Sequence, residues 1–195
     1  MCPNLLGDAR LFEMLLRCDE ELAAAARAAG CPCGGVLHSA RYPRKPRGAL
    51  GKLPDGYDRR DSFCCAEEGC RRRTTPASLR YLGRKVYLGV VVTLVTAMKH
   101  GVTDRRGAEL RRAVGASRET LARWRAWWKA VFVATPFWQV ARGLLSPPVS
   151  VGELPASLLE RFAGQGNVEG VVRMLDFIKP VTTATASGGR KSMGG

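Results

Sequence analysis

Two short cysteine clusters constrain this chain of 195 residues more than any other feature. The first, CPCGGVLH, contains Cys31 and Cys33, and the second, SFCCAEEGC, contains Cys65 and Cys70. Paired cysteines supply thiolate ligands for a tetrahedral metal ion, and the glycines after Cys33 let backbone N–H groups turn toward the sulfurs. We therefore predict that these four cysteines bind one structural Zn²⁺ ion at the ends of short strands, in a zinc ribbon.

The exact ligand set stays open on the sequence alone. The first pair has one residue between its cysteines where two are usual, so His38 or Cys64 could replace one ligand. Packing without a metal is a poor explanation for five cysteines in two clusters. The chain has two His, no clustered carboxylates and no recognisable pair of nucleophile and base, so we do not predict an enzyme.

The charge of the chain indicates a polyanionic partner. Its 31 Lys and Arg against 17 Asp and Glu give a net charge of +14, which attracts nucleic acid first and an anionic membrane surface second. Two basic segments without an acidic residue flank the second cluster: a Pro- and Gly-rich loop at 41–52, and residues 71–85. Their basic residues are Arg41, Arg44, Lys45, Arg47, Lys52, Arg71, Arg72, Arg73, Arg80, Arg84 and Lys85. The predicted phosphate contacts are Arg44, Lys45, Arg47, Arg71, Arg72 and Arg73.

A helix-turn-helix is predicted around the sequence GASRETLARWRAWW, which begins at Gly115. Gly115 suits a left-handed turn, and Ser117 can accept a hydrogen bond from the first turn of the following helix. Leu121, Trp124 and Trp128 recur at helical spacing and are expected to face the core. The alternative is an ordinary helical hairpin with a solvated basic face. The residues of this helix expected to contact DNA are Arg118, Thr120 and Arg123.

The remaining sequence completes a mainly α fold with a small β zinc ribbon and a helix-turn-helix bundle. The longest apolar run, from Val86 to Met98, has 13 residues, which is too short to span a bilayer and predicts a buried helix. No signal peptide is predicted, and the expected location is cytoplasmic and nucleoid-associated. The predicted segments are an N-terminal helix (1–30), the zinc ribbon with its basic loop (31–83), a helix-turn-helix domain (84–145), C-terminal helices (146–181) and a disordered tail (182–195).

The order of these parts resembles the N-terminal DNA-binding region of bacterial insertion-sequence transposases. The resemblance covers roughly residues 31–132 and rests on the paired cysteine clusters followed by CRRR and on GASRETLARW. It implies zinc at the four cysteines, and contacts to bases or phosphates from Arg118, Glu119, Thr120 and Arg123. Too few acidic residues follow Trp138 for the acidic metal-ion triad of such enzymes. The resemblance therefore implies a DNA-binding protein of mobile-element origin without the catalytic domain.

The predicted function is sequence-specific binding to double-stranded DNA. The zinc ribbon would grip the backbone, and the helix at 117–131 would read the major groove, with Arg118 and Arg123 on guanine and Thr120 on a thymine methyl group. The alternative is an RNA-binding or ribonucleoprotein zinc-ribbon protein, because basic loops on zinc ribbons also grip structured RNA. The expected partners are a separate transposase or recombinase and a second copy of the chain in a homodimer. No membrane partner is expected.

Overall fold

The computed structural model describes residues 5–82, 87–98, 108, 112–163 and 167–184. These residues are mainly helical with a small antiparallel sheet, which confirms the predicted fold class at that level. The strands are β1 (Leu37–Ser39), β2 (Tyr42–Pro43), β3 (Arg59–Arg60), β4 (Phe63–Cys65) and β5 (Arg73–Thr74). The helices are α1 (Ala9–Ala28), α2 (Gly89–Thr96), α3 (Arg118–Ala126), α4 (Pro136–Ala141), α5 (Ala156–Ala163), α6 (Val168–Ile178) and α7 (Val181–Ala184).

Helix α1 lies between a capping side chain at Asp8 and a glycine at Gly30. The side chain of Asp8 accepts a hydrogen bond from the backbone N–H of Arg10 at 2.9 Å, and Gly30 after the helix has a φ of +70°. The buried side chains of α1 are Leu11, Phe12, Leu15, Asp19 and Ala23. The first half of the helix covers the main hydrophobic core, and the second half contributes Ala23 to a smaller core beneath the sheet.

Strands β1, β4 and β5 form an antiparallel sheet in the order β1-β4-β5, which we name the cysteine sheet. In its register Leu37 lies opposite Cys65, and Ser39 lies opposite Phe63. A separate pair, β2 and β3, is also antiparallel. The five buried residues of the small core are Ala23, Cys31, Leu37, Phe63 and Cys65. The strands have only two or three residues each, so most of the conformation of this region depends on its turns and on the packing of the cysteines.

Helix α2 lies at the centre of the main core. All eight of its residues are buried, which confirms the buried helix predicted from the apolar run. Leu121, Trp124 and Trp128 are at most 4% exposed and pack into the same core, as predicted. Within the described residues, no helix combines the length and apolar content that crossing a membrane requires.

The turn before α3 has the predicted local chemistry. Gly115 adopts a φ of +69°, and the Ser117 hydroxyl accepts a hydrogen bond from the backbone N–H of Thr120 at 3.3 Å. Residues 112–114 are helical, whereas most of the predicted first helix of this motif lies outside the described residues. A π-helical segment, Trp127–Phe132, continues α3. Thr135 then caps α4 by accepting from the backbone N–H of Trp138 at 3.2 Å.

The C-terminal helices α5 and α6 pack on the main core, and α7 changes the predicted boundary of the tail. Val181–Ala184 is helical, and Thr182 is 5% exposed, with its hydroxyl accepting from the backbone N–H of Ser78 at 3.1 Å. Residues 182–184 therefore belong to the fold and not to the tail predicted for 182–195. The remainder of that segment lies outside the described residues.

A buried ion pair joins α1 to the segment after the cysteine sheet. The carboxylate of Asp19 accepts from Arg80 Nε at 2.8 Å and from the backbone N–H of Leu79 at 2.6 Å, and both charged side chains are at most 1% exposed. Arg80 also donates to the backbone oxygens of Tyr57 and Arg59 at 2.9 and 3.0 Å. The prediction that Arg80 belongs to a basic segment without an acidic partner is wrong, because the partner lies 61 residues away in sequence.

Candidate metal centre and basic surface

The fold brings the four predicted cysteines together. Cys31 follows α1, Cys33 lies in the turn before β1, Cys65 ends β4, and Cys70 lies in the turn before β5. Their four sulfur atoms all lie within 4.8 Å of one another. The cluster could therefore hold one metal ion.

The sulfur separations match a shared ion better than a disulfide. Cys31 Sγ lies 3.6 Å from Cys70 Sγ, and Cys33 Sγ lies 3.5 Å from Cys65 Sγ. A disulfide has an S–S distance of about 2.05 Å. Four sulfurs at about 2.3 Å from a central zinc would be about 3.8 Å apart, close to the two separations in this cluster.

Gly35 is the glycine on which the close packing of this centre depends. A Cβ atom there would lie 2.5 Å from Glu67 Cγ and 2.7 Å from Cys65 Sγ, closer than real Cβ atoms approach. The backbone N–H of Gly35 is also the largest influence that lowers the pKa of the Cys33 thiol. The glycine pair predicted to turn backbone donors toward the thiolates thus has this role at Gly35.

Hydrogen bonding and burial make the cysteines chemically unequal. The pKa of Cys33 is lowered to about 7, first by the N–H of Gly35 and then by neighbouring thiols. Burial raises the pKa of Cys65 to about 12. Without a metal, negative charge therefore concentrates at Cys33, the exposed member of the cluster. A bound cation would stabilise thiolates at all four positions.

His38 and Cys64 lie apart from the four-cysteine cluster. They are a cross-strand pair in the cysteine sheet, one residue away from the pair formed by Leu37 and Cys65. Because successive side chains of a strand point to opposite faces, His38 and Cys64 face away from Cys65. The Cys64 sulfur instead lies 3.7 Å from the backbone oxygen of Arg71.

The basic residues after Cys70 are held on a tight turn. The backbone N–H groups of Cys70 and Arg71 both donate to the Glu67 carbonyl oxygen at 3.0 Å, and Arg71 has a φ of 43°. Arg71, Arg72 and Arg73 are all exposed. The guanidinium of Arg71 lies 3.8 Å from the carboxylate of Glu68, an exposed pair that contributes little to stability. Three consecutive exposed arginines therefore follow the last cysteine of the cluster.

In the basic loop at 41–52, some basic side chains contact other residues and others are exposed to solvent. Arg41 Nε donates to the nearly buried carboxylate of Asp61 at 2.6 Å, so Arg41 has an acidic partner outside the loop. The Arg44 guanidinium lies over the Tyr81 ring at 5.0 Å. Lys45 and Arg47 are exposed.

The predicted contact residues of α3 lie on its outer side. Arg118 and Arg123 are exposed, and Thr120 is half-buried. Arg123 Nη2 donates to Thr120 Oγ1 at 3.1 Å, and the Thr120 hydroxyl lies 3.2 Å from the Ser117 hydroxyl. The helix cap therefore also positions the side chains of Thr120 and Arg123.

Tyr87 connects the basic loop to α3, a role that no sequence signal indicated. Its hydroxyl donates to the Gly115 carbonyl oxygen at 2.5 Å, and its ring meets the Trp124 ring edge-on at 4.8 Å. Arg47 forms a parallel β-bridge with Tyr87, and its backbone carbonyl oxygen accepts a hydrogen bond from the backbone N–H of Leu88 at 3.2 Å. Two segments predicted separately to bind nucleic acid thus lie on either side of one tyrosine.

Comparisons of the chain with protein-family models, with curated protein sequences and with solved structures find no match. Function is therefore inferred from the chemistry of the cysteine cluster and of the basic residues around it.

Proposed function

We propose that this protein binds double-stranded DNA in a sequence-specific way and that the four-cysteine cluster holds a structural Zn²⁺ ion. A thiolate-only donor set suits zinc, which takes four ligands and leaves no coordination position open in such a site. The proposal is a binding protein and not an enzyme. In keeping with the resemblance to insertion-sequence transposases, it would be of mobile-element origin and act with a separate transposase or recombinase.

The observation that supports the proposal best is the junction at Tyr87. It fixes the basic loop beside the capped start of α3, so that exposed Arg47 and exposed Arg123 belong to neighbouring segments. Gly48 makes this contact close, since a Cβ there would lie 2.7 Å from Val91 Cγ1 in α2. A helix that presents base contacts next to a loop that presents phosphate contacts is the arrangement expected of a DNA-binding surface.

Charge supports a polyanionic partner over other ligands. The net charge of +14 gives a long-range attraction for nucleic acid, and the arginines beside the cysteine cluster add a local one. In the proposed complex Arg44, Lys45, Arg47, Arg71, Arg72 and Arg73 contact phosphates. Arg118 and Arg123 would contact guanine edges, and Thr120 a thymine methyl group.

The test compares two arginines with different proposed roles. A preferred duplex is first selected from a random library with the zinc-loaded protein, and affinity is then measured on that duplex and on a scrambled one at several salt concentrations. Arg123→Ala should cost about 1–3 kcal/mol on the preferred duplex and little on the scrambled one. Arg72→Ala should weaken both equally and lower the salt slope by about one.

Arg17→Ala is the matched control, because it removes the same charge from an exposed position on α1. It should change neither the preference nor the salt slope. Equal losses for Arg123→Ala on both duplexes would contradict the proposed base contact. Stronger binding to structured RNA than to duplex DNA, in direct competition, would favour the alternative ribonucleoprotein function.

A further inference from the structure

A groove runs along one side of α3 and its π-helical continuation. Its volume is about 520 Å³, within the range of sites that hold small organic molecules. We name it the α3 groove. The residues that matter for its chemistry are Tyr87, Thr120, Arg123, Trp124, Trp127 and Val131.

The aromatic walls of the α3 groove are fixed before any ligand binds. Tyr87 is held by its hydrogen bond to Gly115 and by the ring of Trp124. The ring of half-buried Trp127 meets that of fully buried Trp128 at 4.8 Å, with an interplanar angle of 76°. Because these rings are already ordered, a flat ligand would enter with little loss of side-chain entropy.

The charges around the α3 groove decide which flat ligand it suits. Among the described residues that line it, Arg123 is charged; its side chain is exposed and donates to Thr120. Arg47 lies next to Tyr87 through the β-bridge and is also exposed. A nucleotide within a nucleic acid carries an aromatic ring and an adjacent phosphate, so it matches both the rings and the cations. An apolar protein side chain would match only the rings.

We propose that the α3 groove holds one unpaired nucleobase of the bound nucleic acid, stacked on Trp127, with Arg47, on the Tyr87 side of the groove, next to its phosphate. This inference rests on the proposed function and adds to it a preference for DNA with a base outside the helical stack. Base stacking on an aromatic side chain tolerates any base, because every base offers a flat face. The groove would therefore add affinity for a DNA structure and not for a sequence.

The test uses the full-length, zinc-loaded protein and three labelled duplexes of equal length. One is fully paired, one has a single unpaired adenine, and one has an abasic residue at the unpaired position. The protein should bind the adenine duplex about tenfold more tightly than the abasic one. Trp127→Ala should abolish this difference and leave both the affinity for the paired duplex and its salt slope unchanged, whereas Trp127→Phe should retain part of the difference.

Two further variants separate a groove effect from a folding defect. Ala130 is exposed and lines the α3 groove, so Ala130→Phe should fill it and abolish the difference without removing a core residue. Val140 is 72% exposed on α4 and is not part of the groove lining, so Val140→Phe should leave the difference intact.

Equal affinity of the unmodified protein for the adenine and abasic duplexes, with salt-dependent binding to paired DNA retained, would overturn this inference alone. A Trp127→Ala variant that loses affinity equally for all three duplexes would also overturn it, since Trp127 would then be a structural residue. If the protein bound none of the three duplexes, the proposed function would be overturned, and so would the assignment of a nucleobase to the groove.

Discussion

The cysteine sheet and the helical region, which consists of α2 to α7 and the main core, are stabilised by different interactions. The small core of the cysteine sheet contains five buried residues, two of which are members of the cysteine cluster. Among the described residues, the main core contains thirty buried residues in one continuous cluster. A core as small as the first one does not support a stable fold by itself, whereas the second is large enough to do so. We therefore expect the cysteine sheet, and not the main core, to depend on an ion at the four cysteines, which lie close enough together to hold one.

The two regions meet at a polar junction that belongs to both. Asp19 lies on α1 between the residues that serve the two cores, and Arg80 reaches from the segment after the cysteine sheet. The Ser78 hydroxyl also donates to the Asp19 carboxylate, at 2.5 Å. A buried pair of this kind is costly to desolvate but more costly to break, because removal of one partner leaves an uncompensated charge. The junction therefore fixes how the two regions are placed on α1.

Metal removal should have the largest effect on stability. We expect it to unfold the cysteine sheet and to leave the helical region folded. Structural zinc sites contribute on the order of 10 kcal/mol to the folding free energy of small domains. After chelation, we expect rapid hydrogen exchange at the amides of Cys65 and Ala66, which bond to Arg72 and Val36 across the cysteine sheet. The amide of Val92 in α2 should stay protected. Hydrogen exchange with mass spectrometry, with and without added Zn²⁺, measures both.

Two neighbouring cysteines give a matched control for this prediction. Cys65→Ser removes a member of the cluster and should reproduce the effect of chelation. Cys64→Ser alters the adjacent residue on the opposite face of the strand and should leave metal content and exchange unchanged. Loss of protection throughout both regions on chelation would show that the helical core also depends on the ion.

Substitution of two glycines should have smaller effects, one on zinc affinity and the other on the stability of the helical region. Gly35→Ala places a Cβ 2.7 Å from Cys65 Sγ, and we expect the affinity for zinc to fall about 10- to 100-fold, as for other residues that support metal ligands. Gly48→Ala forces a side chain into a φ of +96° and within 2.7 Å of Val91 Cγ1. We expect it to lower the free energy of unfolding of the helical region by roughly 2–4 kcal/mol.

The two variants are each other's control. Zinc affinity from a competition assay with a chelating dye should change in Gly35→Ala and not in Gly48→Ala. The denaturant midpoint of the helical signal should change in Gly48→Ala more than in Gly35→Ala. Equal changes of both quantities in both variants would mean that the regions unfold as one cooperative unit.

The sequence predicts interactions between residues that are close together in the chain, and it does not reveal those between distant residues. The cysteine pairs, the Ser117 cap and the core face of α3 depend on residues a few positions apart, and spacing alone indicates them. The ion pair of Asp19 with Arg80 spans 61 residues, and the hydrogen bond of Tyr87 to Gly115 spans 28. Neither has a pattern that a short window could reveal. For the same reason the sequence gives no sign that Arg80 is buried and paired.

Ser117→Ala should have the smallest effect on stability and the most selective effect on function. Loss of a helix cap lowers the free energy of unfolding by about 1 kcal/mol. Thr135→Ala removes the equivalent cap of α4 and should cost about the same. Only Ser117 lies next to the Thr120 hydroxyl that holds Arg123, at 3.2 and 3.1 Å. If the cap positions Thr120 and Arg123 for the proposed base contacts, Ser117→Ala should reduce discrimination between preferred and scrambled duplexes, and Thr135→Ala should not. Equal discrimination in both variants, with equal loss of stability in denaturant unfolding, would limit Ser117 to a structural role.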